Sequence, residues 1–200
     1  VFHYSGVPKE HPFLMETNPF STLNTQLSWF AVRVSYSREL ALKEVLDDKH
    51  IENFIPMRHE YIIKNGKRVR KLVPAVHNLV FIHSTRQCID ELKEELGIKI
   101  PIRLIMNREY RRPIIIPDSQ MRNFILVAGT QEEAVLYIDP VELHLVKGQK
   151  VRITGGIFEG VVGEFVRIRH DRRVVVSIEG VMAVATTYIH PSLVVPITED

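Results

Sequence analysis

The sequence predicts an α+β domain, a mostly antiparallel sheet with helices, followed by a small all-β, SH3-like barrel of five strands. Three observations carry this. Between Trp29 and Gly129, runs with strand texture alternate with runs that keep helical spacing. After Lys147, short β-branched runs recur between glycine or polar turns and helical spacing disappears. Between the two, "TQEEAVLYIDPVELHLV" is mixed in character and reads as a connector. The boundaries follow: a flexible tail over 1–27, an N-terminal domain over 28–129, a linker over 130–146 and a C-terminal domain over 147–200.

"WFAVRVSY" reads as a partly buried strand, and Ser37 is placed to cap a helix whose Ala41, Leu42, Val45 and Leu46 share one face. Two apolar-tinged runs then flank Asn65-Gly66, a dipeptide that tolerates positive φ and suits a projecting hairpin. "AVHNLVFIH" is long enough for a central strand. Ser84-Thr85-Arg86-Gln87 follows as a capping signal for a second helix, with Cys88, Ile89, Leu92 and Leu96 at helical spacing and Gly97 at its end. "PIRLIM" and "PIIIP" read as short strands with terminal prolines. Asp118 should cap a third helix through Met121, Phe124, Ile125 and Ala128, stopped near Gly129. In the C-terminal domain the strands are "KVRIT", "VVGEFVRIR", "VVVSI", "VMAVATTY" and "SLVVPI".

A net charge of +2 is too small for a global argument about polyanions, so the positions of the cations must carry it. The hairpin holds Arg58, Lys64, Lys67, Arg68, Arg70 and Lys71 against Glu60 alone. Such a run is either a solvated face or a phosphate-neutralising surface without a base code. Arg108, Arg111 and Arg112 form a smaller group, and Arg167, Arg169, Arg172 and Arg173 cluster around "RHDRR". The latter is either a charged turn that keeps a sheet edge soluble or a site for RNA or an acidic protein surface.

Cys88 is the single cysteine, which excludes an internal disulfide and a multi-cysteine zinc site and points to a reducing cytoplasm. His77 and His83 have no third ligand at a recognisable spacing, so no metal is expected. No Ser/His/Asp or Cys/His set assembles, and Asp90, Glu91, Glu94 and Glu95 read as the wet side of a helix. Neither catalysis nor a cofactor is expected. "VRITGGIFEGVVGEF" lacks a phosphate-loop ending, so Gly156, Gly160 and Gly163 are read as shaping a barrel corner.

Lys147-Gly148-Gln149-Lys150-Val151-Arg152-Ile153-Thr154, with Gly156, Phe158, Gly160 and Gly163, resembles the KOW motif of NusG-type elongation factors and some ribosomal proteins. Trp29-Phe30-Ala31-Val32, the hairpin and the three-helix order resemble the NusG N-terminal domain. One departure stands out: Val76-His77-Asn78-Leu79 lies where these proteins commonly carry Phe-Pro-Gly-Tyr. This divergence resembles specialised paralogues of the RfaH or UpxY type.

The resemblance implies a non-enzymatic regulator that binds RNA polymerase and modulates pausing or termination, including antitermination on capsular polysaccharide operons. The alternative is a KOW-type RNA-binding or ribosome-associated module. It implies a pocket for the β′ clamp helices, carried over to Leu79, Phe81, Leu104 and Ile115, with one sheet face left open for that partner. The hairpin residues Lys64, Lys67, Arg68, Arg70 and Lys71 would lie near upstream or non-template DNA, and Arg86 to Asp90 near the β gate loop. The C-terminal domain would reach Rho or a ribosomal protein. Val174, Val175 and Val176, with the repeated glycines, disfavour helix there and imply that the domain remains β.

Overall fold

The computed structural model describes residues 25–139 and 148–197; the tail to residue 24, linker residues 140–146 and Lys147 lie outside them. Strand β1 (Ser28–Val34) runs through the middle of the first sheet. It pairs antiparallel with β5 (Leu79–Ser84) on one side, and with β6 (Ile102–Leu104) and β7 (Ile115–Ile116) on the other. The short β2 (Asn53–Phe54), not foreseen in the sequence, extends the sheet beyond β5.

Three helices connect and cover this sheet: α1 (Glu39–Asp48), α2 (Arg86–Leu96) and α3 (Asp118–Ala128). The α2 signals behave as read: the Thr85 hydroxyl accepts from the Cys88 N–H at 3.1 Å, and Gly97 ends the helix with φ 48°. The other two caps differ. Ser37 sits outside α1 with φ 51°, and its N–H donates to Asn78 Oδ1 at 3.1 Å, so Arg38 holds the N-cap position. Pro117 holds it for α3, with Asp118 inside the first turn, where a carboxylate favours the helix dipole.

Adjacent strand residues point to opposite faces, yet Phe30, Ala31, Val32, Leu79, Val80, Phe81 and Ile82 are all buried. Both faces are therefore covered. Val32, Val34, Val80, Ile82 and Ile102 pack with Leu42 and Leu46 of α1 and Leu92 and Leu96 of α2. Trp29, Ala31, Leu79, Phe81 and Ile116 pack with Met121, Phe124 and Val127 of α3. The expected open apolar face is absent because α3 lies on it.

The C-terminal sheet contains β9 (Gln149–Ile153), β10 (Val162–Ile168), β11 (Asp171–Ile178), β12 (Met182–Ala185) and β13 (Val194–Pro196). A sixth strand, β8 (Leu136–Ile138), comes from the stretch read as linker and pairs with β12. The order is β13-β9-β10-β11-β12-β8, with no pairing between β13 and β8 among the described residues. The expected closed five-stranded barrel is replaced by an open six-stranded path.

Helix α3 joins the two halves. Its core continues without interruption into Val151, Ile153, Val174, Val176, Met182 and Val184, and Asn123 Oδ1 accepts the Val162 N–H at 3.0 Å. Phe124 is fully buried, with its ring centre 5.3 Å from Phe81 and 6.2 Å from Phe54. Removing it leaves a cavity inside a core shared by both sheets. Phe124→Ala is expected to lower stability by about 3–5 kcal/mol. Urea unfolding followed by tryptophan fluorescence, which reports the first sheet through Trp29, and by far-UV circular dichroism should show coincident transitions, both shifted by the substitution.

Candidate nucleic-acid and partner surfaces

The hairpin is formed by β3 (Met57–Lys64) and β4 (Lys67–Pro74), which pair with each other and with neither sheet. Asn65 (φ 52°) and Gly66 (φ 73°) make the tight turn that the dipeptide predicts. Register sorts the side chains. Directly opposed residues share a face, so Arg58, Glu60, Ile62, Lys64, Lys67, Val69 and Lys71 line one face. His59, Tyr61, Ile63, Arg68, Arg70 and Leu72 line the other.

The cations on the two faces differ in their partners. Arg58 pairs with Glu60 on its own strand, and Arg70 pairs with Glu133 at 3.3 Å, on the segment leading to β8. The Arg68 guanidinium lies over the Tyr61 ring, 4.0 Å from its centre. Lys64, Lys67 and Lys71 are exposed and make no ion pair with a described residue. Their charge stays in solvent, where a phosphate can displace counterions from it.

At its base the hairpin is tied down. The Tyr137 hydroxyl of β8 donates to the Met57 carbonyl at 3.4 Å, and the Ala75 N–H donates to the Pro56 carbonyl at 2.8 Å. Burial pushes the Tyr137 hydroxyl up from its ordinary value of 10.0 to about 12, outweighing the opposite pull of Arg58.

The four residues assigned to a polymerase pocket do not share a surface. Leu79 and Phe81 are 1% and 0% exposed, enclosed beneath α3. Leu104 opposes Val32 across the β1–β6 ladder and so faces α1 and α2, on the other side of the sheet. Ile115 alone is open, at 44% exposure. The sequence held a warning: the β5 run is apolar at successive positions, the pattern of a strand buried on both faces.

Asn78, in the segment that departs from Phe-Pro-Gly-Tyr, has φ 61°. This left-handed conformation explains why asparagine can stand where the pattern has glycine. Its N–H donates to the buried Glu39 carboxylate, fixing the entry to β5 against the start of α1.

At the start of α2, Arg86 pairs with Asp90 at 2.8 Å beside a small cavity of about 170 Å³, also lined by Ile89, Lys93, Ile102, Arg103, Leu104 and Met106. Cys88 is half-buried. Arg108, Arg111 and Arg112 lie on an exposed loop organised by Asn107, whose Oδ1 accepts from the N–H groups of Glu109 and Tyr110. His83 stacks on Trp29 and bonds Glu52 through Nδ1 at 2.7 Å. No group of three metal-ligating side chains occurs among the described residues.

In the turn between β9 and β10, Gly156 (φ 82°) and Gly160 (φ 87°) adopt left-handed conformations. Gly163 serves closeness instead, since a Cβ there would meet the Val175 carbonyl oxygen at 2.4 Å. Arg173 separates from the basic cluster. It is buried, and its Nη1 donates to the carbonyls of Ala134 and Thr186, each at 2.7 Å, while Nη2 pairs with Asp171 at 3.0 Å. Arg167, Arg169 and Arg172 are exposed around the β10–β11 turn.

Residues 27–125 match a family model, NusG, described as transcription termination factor nusG. No curated protein sequence matches the chain. Among solved structures, "Domain interaction in Thermotoga maritima NusG" is similar at 19% identity and a TM-score of 0.43, covering 86% of this chain and 98% of that one. No helix among the described residues is long and apolar enough to cross a membrane.

Two outcomes are expected. The variant Lys64→Ala/Lys67→Ala/Lys71→Ala should weaken binding to a mixed-sequence single strand and flatten the slope of log affinity against log salt by about 2. Fluorescence anisotropy across a salt series measures both. Because the raised Tyr137 hydroxyl resists ionisation in the fold, its contribution is complete below about pH 10 and is lost as pH rises towards about 12. Tyr137→Phe should remove that part of the alkaline loss, seen by circular dichroism.

Proposed function

We propose that this chain is a transcription termination or elongation factor of the NusG kind, acting by binding and not by bond chemistry. The match of residues 27–125 to the NusG family model is the observation that carries the reading, since it spans the first sheet, the hairpin and most of α3. The projecting hairpin with Lys64, Lys67, Arg68, Arg70 and Lys71 supports nucleic acid as one partner. RNA polymerase is the other.

Burial redirects the docking residues. Leu79 and Phe81 are covered by α3 of their own domain, so a movement of the C-terminal sheet alone would leave them covered. We place polymerase contact at the β7 edge around Ile115. Such a factor changes elongation only through unequal affinity for two states of the polymerase, and about 1.4 kcal/mol of difference moves their ratio tenfold. Holding the clamp and the nucleic acid together favours the closed, paused-resistant state. Action as an antiterminator on surface-polysaccharide operons is the finer reading, supported by the resemblance to RfaH and UpxY proteins.

The test is co-purification with core RNA polymerase, coupled to pause lifetimes in reconstituted transcription. The wild type should capture polymerase and shorten pauses. Ile115→Asp should lose both by about tenfold, or 1.4 kcal/mol, at unchanged melting temperature. Full capture by that variant would remove β7 as the docking edge; failure of the wild type to bind polymerase would remove the function. Phe81→Asp is expected to unfold and cannot serve as the probe, because it places an unpaired charge in the core.

A further inference from the structure

The basic turn of the C-terminal sheet carries two features that oppose its stability. Arg167 and Arg172 are directly opposed across the β10–β11 ladder, a like-charge pairing that is unfavourable. Arg169 (φ 48°) and His170 (φ 76°) both hold left-handed conformations in the tight turn, a place that favours asparagine and glycine. Asp171 does not relieve the repulsion, because it pairs with the buried Arg173.

The turn also lies beside the hairpin. Glu133 pairs with Arg70 of β4, and its neighbour Ala134 accepts from Arg173 of β11. Two adjacent residues thus link the basic elements. Their directions agree as well. Tyr137 meets the hairpin base at Met57 and lies opposite Val184, itself opposite Val176. Going back from Tyr137 to Glu133 leads outward along the hairpin, from Met57 to the Tyr61–Arg70 pair. The same step leads along β11 from Val176 to Arg173, towards the Arg169–His170 turn. Both basic tips therefore project the same way, past the Arg70–Glu133 contact.

We infer that the hairpin and the β10–β11 turn form one seat for a single strand of nucleic acid that crosses from the N-terminal to the C-terminal domain. This rests on the reading of the hairpin as a nucleic-acid contact. Arg167, Arg169 and Arg172 take phosphates at one end, and the hairpin cations take them at the other. Tyr61, half-exposed and backed by Arg68, lies on the opposite face of the ribbon from Lys64, Lys67 and Lys71. A flexible single strand that turns over the ribbon edge can stack a base on its ring and reach those lysines, which a stiff duplex cannot do. The bound phosphates also offset the Arg167–Arg172 repulsion.

The experiment uses the full chain and labelled, mixed-sequence single-stranded DNA and RNA of graded length, read by fluorescence anisotropy over a salt series. Arg167→Ala/Arg169→Ala/Arg172→Ala is compared with Lys64→Ala/Lys67→Ala/Lys71→Ala. The turn variant should lose about tenfold or more in affinity for long strands, with the salt slope reduced by about 2, while short strands bind it as they bind wild type. Its melting temperature should stay close to wild type, because loss of the like-charge pair offsets loss of the hydrogen bond from Arg167 Nε to the His170 carbonyl and of the Arg172–Phe165 contact.

Wild-type behaviour of the turn variant, with loss in the hairpin variant, would overturn the shared seat and leave the hairpin reading standing. Loss in the turn variant alone would overturn both. Absence of binding by the wild-type chain would also overturn both. Duplex binding as tight as single-strand binding would overturn the single-strand assignment. A melting temperature lowered by about 10 °C or more in the turn variant would show that its arginines serve chiefly to support the fold, against the inference.

Discussion

The burial of α3 between two sheets is the constraint on which the rest of the structure depends. Met121, Phe124, Val127 and Ala128 are buried on a helix of eleven residues, and their neighbours come from β1, β5 and the C-terminal strands. One core therefore serves both halves of the chain. Its continuity joins layers in a simple order: α1 and α2, the first sheet, α3, and the C-terminal sheet.

This arrangement decides where partners can bind. Apolar residues of the central strands have no free face, because each is already covered by helix. Peripheral features stay available, among them the hairpin, which pairs with neither sheet, the β7 edge at Ile115, and the turn between β10 and β11. Two of these are rich in Lys and Arg. Interactions there are long-ranged and salt-dependent, so recognition of a phosphate backbone fits them better than recognition of an apolar groove.

Polar contacts join the halves at several points among the described residues. Tyr137 to Met57, Arg70 to Glu133 and Asn123 to Val162 fix direction, whereas the apolar core supplies most of the adhesion. An exposed pair such as Arg70–Glu133 contributes no more than about 1 kcal/mol. Its significance is positional, since it sets the hairpin beside the segment that Arg173 holds to β11.

Much of the fold was legible because its signals are local. Asn65-Gly66 makes its turn, Thr85 caps α2, Gly97 ends it, and the β-branched C-terminal runs form strands. Each depends on φ, ψ and a partner a few residues away. The hairpin cations were legible for the same reason, being adjacent on a projecting ribbon. By itself, then, the sequence determined the three helices, the longer strands, the Asn65-Gly66 turn and the charge on the hairpin, but neither the short β2 nor the caps of α1 and α3. Only the tertiary structure decided that β8 joins the second sheet, that Arg173 turns inward, and that Leu79 and Phe81 lie under α3. Those outcomes depend on what distant segments cover, and alternation along a strand names two faces without saying which will meet water.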